Sequence, residues 1–123
     1  MAAWYASAGY EVIARNWRCP RGELDIVAWR NNVLVVCEVK ARRNADFGDP
    51  FEAITPRKVL RLRRAAAAFV ESLRLVHGAS TSALIGDHEE LASRTVSARR
   101  IKEIRFDAAS VVGTRVEVRP GVL

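Results

Sequence analysis

The chain has little of what usually holds metals or staples small folds. Of its 123 residues only two are cysteine and two are histidine. Cys19 and Cys37 have no histidine or cysteine at ligand spacing, which argues against zinc and against a disulfide framework. His77 and His88 are too isolated for a metal site or a catalytic pair. No apolar run reaches the roughly 18 residues that a membrane-crossing helix needs. The opening "MAAWYASAGYEV" lacks the basic flank and apolar run of a signal peptide. The expectation is a reduced, cytoplasmic protein with no membrane association. Lysine is scarce too: three lysines stand against 17 arginines.

Half of the residues are hydrophobic, too many for a disordered chain, and 123 residues fit a single domain, 1–123, around one core. The net charge is +6 and is unevenly spread. Residues 1–77 carry 13 basic and 8 acidic side chains, whereas 78–103 balance at 4 and 4. The local extreme is "RKVLRLRR", residues 57–64, with five basic side chains and no acidic one. Concentrated positive charge favours a polyanion through phosphate contacts and counterion release. A solubilising surface is the plain alternative.

Residues 1–8 read as a short helix that Gly9 stops. "YEVIARNW" alternates as a first strand, "CPRG" is a turn, and "ELDIVAW" and "VLVVCEVK" are two further strands rich in β-branched residues. Residues 44–55 read as a polar loop. A long helix starts at Pro56 with Thr55 as its cap and runs to about Val76. Val59, Leu62, Ala66, Phe69, Leu73 and Val76 form its apolar stripe, and Arg57, Arg61 and Arg64 line another face. Residues 78–103 read as a surface insertion, with Asp87 and Glu90 resembling a capping box. "IRFDAASVV" and "RVEVRP" are two last strands around Gly113-Thr114. The order α-β-β-β-α-(insert)-β-β implies a mixed sheet with packed helices, in the α/β or α+β class. Trp17 and Trp29 read as packing residues, Cys37 as core, and Cys19 as part of a turn.

The hairpin "RGELDIVAWRNNVLVVCEVKARR" poses a problem. Asn31-Asn32 suits a two-residue type I′ turn, because asparagine tolerates positive φ. Pairing Arg30 with Val33 then sets Val27 against Val36, Asp25 against Glu38 and Glu23 against Lys40. Alternation puts Glu23, Asp25, Val27 and Trp29 on one face, with Leu34, Val36, Glu38 and Lys40 beside them. Two carboxylates about 5 Å apart repel by roughly 3 kcal/mol at an effective dielectric near 20. Protonation of one carboxyl offsets this, and so does a divalent cation such as Mg²⁺ or Mn²⁺ on hard oxygen ligands. Lys40, unlike an arginine, can give up its proton and orient a water. It reads either as a catalytic group or as an ordinary ion-pair partner of Glu23. Arg42, two residues on, shares its face and is a candidate phosphate contact.

Asp25, twelve residues, then Glu38-Val39-Lys40 resembles the D…E-x-K motif of restriction-endonuclease-like nucleases. The wider pattern is more specific. "GYEVIARNWR", "GELDIVAW", "VVCEVKARR", "FGDPFEAITPRKVLRLRRAAAAFV" and "RFDAASV" together resemble the YraN family of bacterial predicted endonucleases, over roughly residues 4–77 and 104–118. The resemblance implies a mixed central sheet flanked by helices, similar to archaeal Holliday-junction resolvases, and those relatives suggest a homodimer. It implies Asp25 and Glu38 as metal ligands and Lys40 as the catalytic lysine. Glu23 matches the glutamate of a Gly-Glu-(Ile/Leu)-Asp motif, Lys58 a basic position early in the long helix, and Asp107 a Phe-Asp strand. Family members usually carry a Gly-Glu pair on the first helix, at a position before Met1, whose glutamate in resolvase-like nucleases helps to bind metal. They are also usually shorter across 78–103. The expected activity is Mg²⁺- or Mn²⁺-dependent hydrolysis of DNA phosphodiesters, with Arg42, Arg57, Lys58, Arg61 and Arg64 on the DNA. The alternative is a nucleic-acid-binding protein with weak or lost catalysis on a nuclease scaffold.

Overall fold

The computed structural model describes residues 1–42, 51, 54–78 and 96–123. The expectations for the polar loop after Arg42, for Asp87, Glu90 and His88, and for the side chains of Arg42, Val76 and His77 lie outside those residues.

Five strands form one mixed sheet in sequence order: β1 (Glu11–Cys19), β2 (Gly22–Arg30), β3 (Val33–Arg42), β4 (Glu103–Val112) and β5 (Arg115–Arg119). β1–β2, β2–β3 and β4–β5 are antiparallel, and β3–β4 is parallel, from Val33 opposite Glu103 to Arg42 opposite Val112. A parallel neighbour needs a crossover connection, and α2 (Pro56–Gly78) lies in that connection. This is the α/β, helix-flanked mixed sheet that the sequence implies. Among the described residues no helix is long and apolar enough to cross a membrane.

The two Asn residues do what the turn requires. Asn31 and Asn32 have φ of 50° and 66°, and Arg30 pairs with Val33. The Asn32 carbonyl also accepts the Lys102 N–H at 2.9 Å, tying the turn to the approach to β4. In the central β3 every residue from Leu34 to Cys37 is buried, as expected of a strand covered on both faces.

Each face has its own core. α2 places Leu62, Ala65, Ala66, Phe69 and Leu73 against Trp17, Leu24, Val27, Trp29, Leu34 and Val36. The Trp17 and Phe69 rings meet edge to face, centroids 5.3 Å apart. Lys58 N–H donates to Thr55 Oγ1 at 3.3 Å, so Thr55 caps α2 as expected. On the other face α1 (Ala2–Ser7) buries Tyr5 among Ile26, Ala28, Val35, Cys37 and Ala109. Gly9, at φ 91°, ends α1: its N–H reaches the Ala6 carbonyl, and the Tyr10 N–H reaches that of Tyr5. That pair of bonds is the Schellman arrangement, which needs a left-handed residue here.

The strand alternation is interrupted twice: a bulge between Val12 and Ala14 puts both Ile13 and Ala14 in the α2-side core, and a second irregularity follows at Asn16 and Asp25. Ala14 and Val27 face α2, and so do Trp17 and Leu24, three residues away along each strand. Ile26, next but one to Leu24, faces α1. Arg15 still pairs with Ile26 and Trp17 with Leu24, while Asn16 and Asp25 fall in the gap. The simple alternation expected for Glu23, Asp25, Val27 and Trp29 is therefore broken at Asp25.

Candidate active site

The paired part of the β2–β3 ladder ends at Ile26 opposite Cys37. Beyond it the expected backbone pairs, Asp25 with Glu38 and Glu23 with Lys40, are not made. The Asp25 side chain reaches across instead: its Oδ2 accepts the Val39 N–H at 2.8 Å, where a main-chain carbonyl would otherwise sit. Standing between a residue that faces α2 and one that faces α1, this carboxylate lines a cavity on each side of the sheet.

The cavity on the α2 side, about 590 Å³, gathers most of the residues singled out in the sequence. Glu23, Asp25, Glu38 and Lys40 line it from the strands, and Lys58 and Arg61 line it from α2. β3 alternation explains the placement: Leu34 and Val36 face α2, and Glu38 and Lys40 continue that row. Gly22 lets the β1–β2 turn approach the helix, since a Cβ there would lie 3.3 Å from Arg61 Cγ. Arg57 and Arg64 are exposed on α2 outside this lining.

The ion pairing differs from expectation. Lys40 Nζ lies 3.5 Å from Glu38 Oε1 on its own strand. Glu23 is held by Arg18, at 3.5 Å, because β1 places these two directly opposite. Arg18 also lines the cavity and was not among the expected residues. Its signal was available in the short "CPRG" turn, which brings positions 18 and 23 together.

Burial, together with the nearby Glu23 charge, raises the Asp25 carboxyl above the usual range, against the pull of the Val39 N–H and Lys40. Glu38 is raised by burial and by the Asp25 carboxylate, against Lys40 and Lys58. Among the described residues no three His, Cys, Asp or Glu side chains cluster as a metal cage. The arrangement is a pair of acids that resist ionisation, with a lysine on one of them and basic groups at the rim.

Asp107 is elsewhere. It is fully buried and accepts from Tyr5 Oη at 2.8 Å, Arg105 Nε at 2.8 Å and the Gly121 N–H at 2.9 Å. That makes it a tie between α1, β4 and the C-terminal segment. Trp17, Trp29 and Cys37 are core, as expected, and burial pushes the Cys37 thiol up to about 12.

The profile described as "Uncharacterised protein family UPF0102" matches residues 1–111. The chain belongs to the UPF0102 (YraN) family. This member is similar to a UPF0102 protein of Beutenbergia cavernae, 38% identical over 112 residues, which cover 91% of this chain and 75% of that protein. UPF0102 protein Lxx14785 of Leifsonia xyli subsp. xyli is 44% identical over 85 residues, 69% of this chain and 72% of the relative. A UPF0102 protein of Acidothermus cellulolyticus is 58% identical over 62 residues, half of this chain, and the match spans 47% of that relative. The family membership implied by the motifs is thereby shown. The names of these UPF0102 relatives state no reaction.

Proposed function

We propose that this protein is a metal-dependent endonuclease that hydrolyses DNA phosphodiesters, with branched or repair intermediates as its substrate class. The observation that carries the reading is the convergence of Asp25, Glu38 and Lys40 in one cavity rimmed by Lys58 and Arg61. Mg²⁺ or Mn²⁺ fits these donors. Both acids are hard oxygen ligands, and a divalent cation relieves the cost of ionising them side by side. Mg²⁺ is commonly held by only one or two carboxylates together with water and substrate phosphate. When bound, it polarises the phosphoryl oxygen and lowers the pKa of the attacking water.

The chain's own groups have separate tasks in this reading. Asp25 is fixed by the Val39 N–H, which leaves Oδ1 for the cavity. Glu38 holds Lys40, and the lysine ammonium orients the attacking water by donating to its oxygen, while the water's proton passes to solvent. Lys58 and Arg61 bind the phosphates beside the scissile bond, and Arg42, Arg57 and Arg64 extend that contact along the DNA. The protein acts in the cytoplasm as a homodimer, a state that light scattering measures.

The test incubates branched and single-stranded DNA with the protein and Mn²⁺. Cleavage is expected from the wild type and not from Asp25→Asn. Equal cleavage by both would place the chemistry elsewhere. A second reading, a DNA-binding protein with weak or lost catalysis, is favoured by the Glu38–Lys40 pair, which engages an oxygen that a metal would need. Tight binding without cleavage by the wild type is its expected result.

A further inference from the structure

Asp25 leaves the sheet's alternation at one point, and the residue across from it on the neighbouring strand is irregular too. Asn16, at φ 49°, is in the left-handed region within β1. Residues other than glycine, asparagine and aspartate pay a steric penalty there, from the clash of Cβ with the following carbonyl. A left-handed residue within a strand turns the side chains that follow it, and irregular strand positions re-aim side chains next to functional sites.

Both strands slip together around this residue. Trp17 and Leu24 stay paired and both face α2, although each lies three residues from the last α2-facing position, Ala14 and Val27. Asn16 and Asp25 are the one pair position skipped between Arg15–Ile26 and Trp17–Leu24. At that skipped position Asp25 lies between faces, reaches sideways to the Val39 N–H, and lines cavities on both sides of the sheet. Asn16 lines the α1-side cavity beside it. Without the slip, alternation would put Asp25 among the α2-facing core residues with Val27.

We infer that Asn16 is a positioning residue, whose left-handed backbone dislocates β1 and β2 together and so holds the Asp25 carboxylate across the open end of the β2–β3 ladder. It touches neither substrate nor metal. It acts through the Asp25–Val39 contact, and its consequence for metal affinity rests on the proposed function.

The test compares Asn16→Gly, Asn16→Ala and Asn16→Val by two readouts. One is hydrogen exchange of the Val39 amide, followed by NMR. The other is Mn²⁺ binding by calorimetry. Glycine keeps the backbone conformation, so Asn16→Gly should match the wild type in both. Valine opposes it, so Asn16→Val should lose about tenfold or more in Mn²⁺ affinity, and its Val39 amide should exchange faster while those of Leu34 to Val36 keep their protection. Alanine is the milder variant, and it decides the matter by the same two readouts if the valine variant does not fold. A Val39 amide as protected in the alanine and valine variants as in the wild type would overturn the inference. So would equal loss in Asn16→Gly, which would assign the effect to the amide side chain rather than to the backbone. If the wild type binds no Mn²⁺, the metal reading of the site fails, while Val39 protection still decides the role of Asn16.

Discussion

Glu38 is where the opposing charges meet. Burial and Asp25 raise its carboxyl above the unfolded value, and Lys40 and Lys58 recover only part of the shift. A group of this kind binds its proton more tightly in the folded state. Its contribution is therefore fully present below the ordinary carboxylate range and is lost as pH rises through the raised folded value. Metal-free protein should accordingly lose stability as pH rises from that range toward neutrality. Glu38→Gln should flatten the slope and raise the melting temperature at neutral pH by about 3 °C, if roughly 1 kcal/mol of repulsion is removed. An unchanged pH profile in calorimetry would mean that Glu38 carries no such penalty. Lys40 makes a separate prediction. Lys40→Ala should abolish Mn²⁺-dependent cleavage and leave DNA affinity, measured by fluorescence anisotropy, within about threefold, because one cation among many contributes little to binding. A large loss of affinity would recast Lys40 as a binding residue.

At the scale of elements, α2 has two jobs on two faces. Phe69 fills the core against Trp17, so Phe69→Ala should cost about 3–5 kcal/mol in chemical denaturation. Arg57 and Arg61 carry the basic side. The double alanine variant should weaken binding to all DNA sequences alike and lower the slope of log affinity against log salt by about 2. An unchanged slope would move the DNA surface off this helix. Much of this element was legible in advance: Thr55-Pro56 announced the start, and the spacing of Leu62, Ala66, Phe69 and Leu73 announced the buried face. The Asn31-Asn32 turn likewise set the hairpin register correctly as far as Ile26. The failure lay just beyond. Alternation extrapolated through Asp25 missed a dislocation that arises on β1, at Asn16, in a segment that reads as an ordinary strand. The Arg18–Glu23 pair was missed for a different reason: it lies across the short β1–β2 turn, but the extrapolated β2–β3 register had already assigned Glu23 to Lys40.

Across the whole molecule the sheet separates two kinds of buried charge. On the α2 side Asp25 and Glu38 face an open cavity and resist ionisation. At the Tyr5 side Asp107 is fully buried but saturated, with Tyr5, Arg105 and the Gly121 N–H as donors. Its partners lie up to 102 positions away in sequence, so its role could not be read from the "FD" pair that resembles a nuclease strand. The two acids therefore make opposite predictions. Asp107→Asn takes the charge from a buried acceptor whose arginine partner is partly exposed, and should destabilise the protein by about 1–3 kcal/mol. The rise in melting temperature on adding millimolar Mn²⁺ should survive in it, since stabilisation by a ligand depends on the site that binds it. Asp25→Asn should do the reverse, with a small change in metal-free stability and no response to Mn²⁺. Differential scanning fluorimetry of the two variants, with and without metal, reads all four values. A metal response lost in Asp107→Asn and kept in Asp25→Asn would exchange the roles of the two aspartates and move the metal from the α2-side cavity to the buried network.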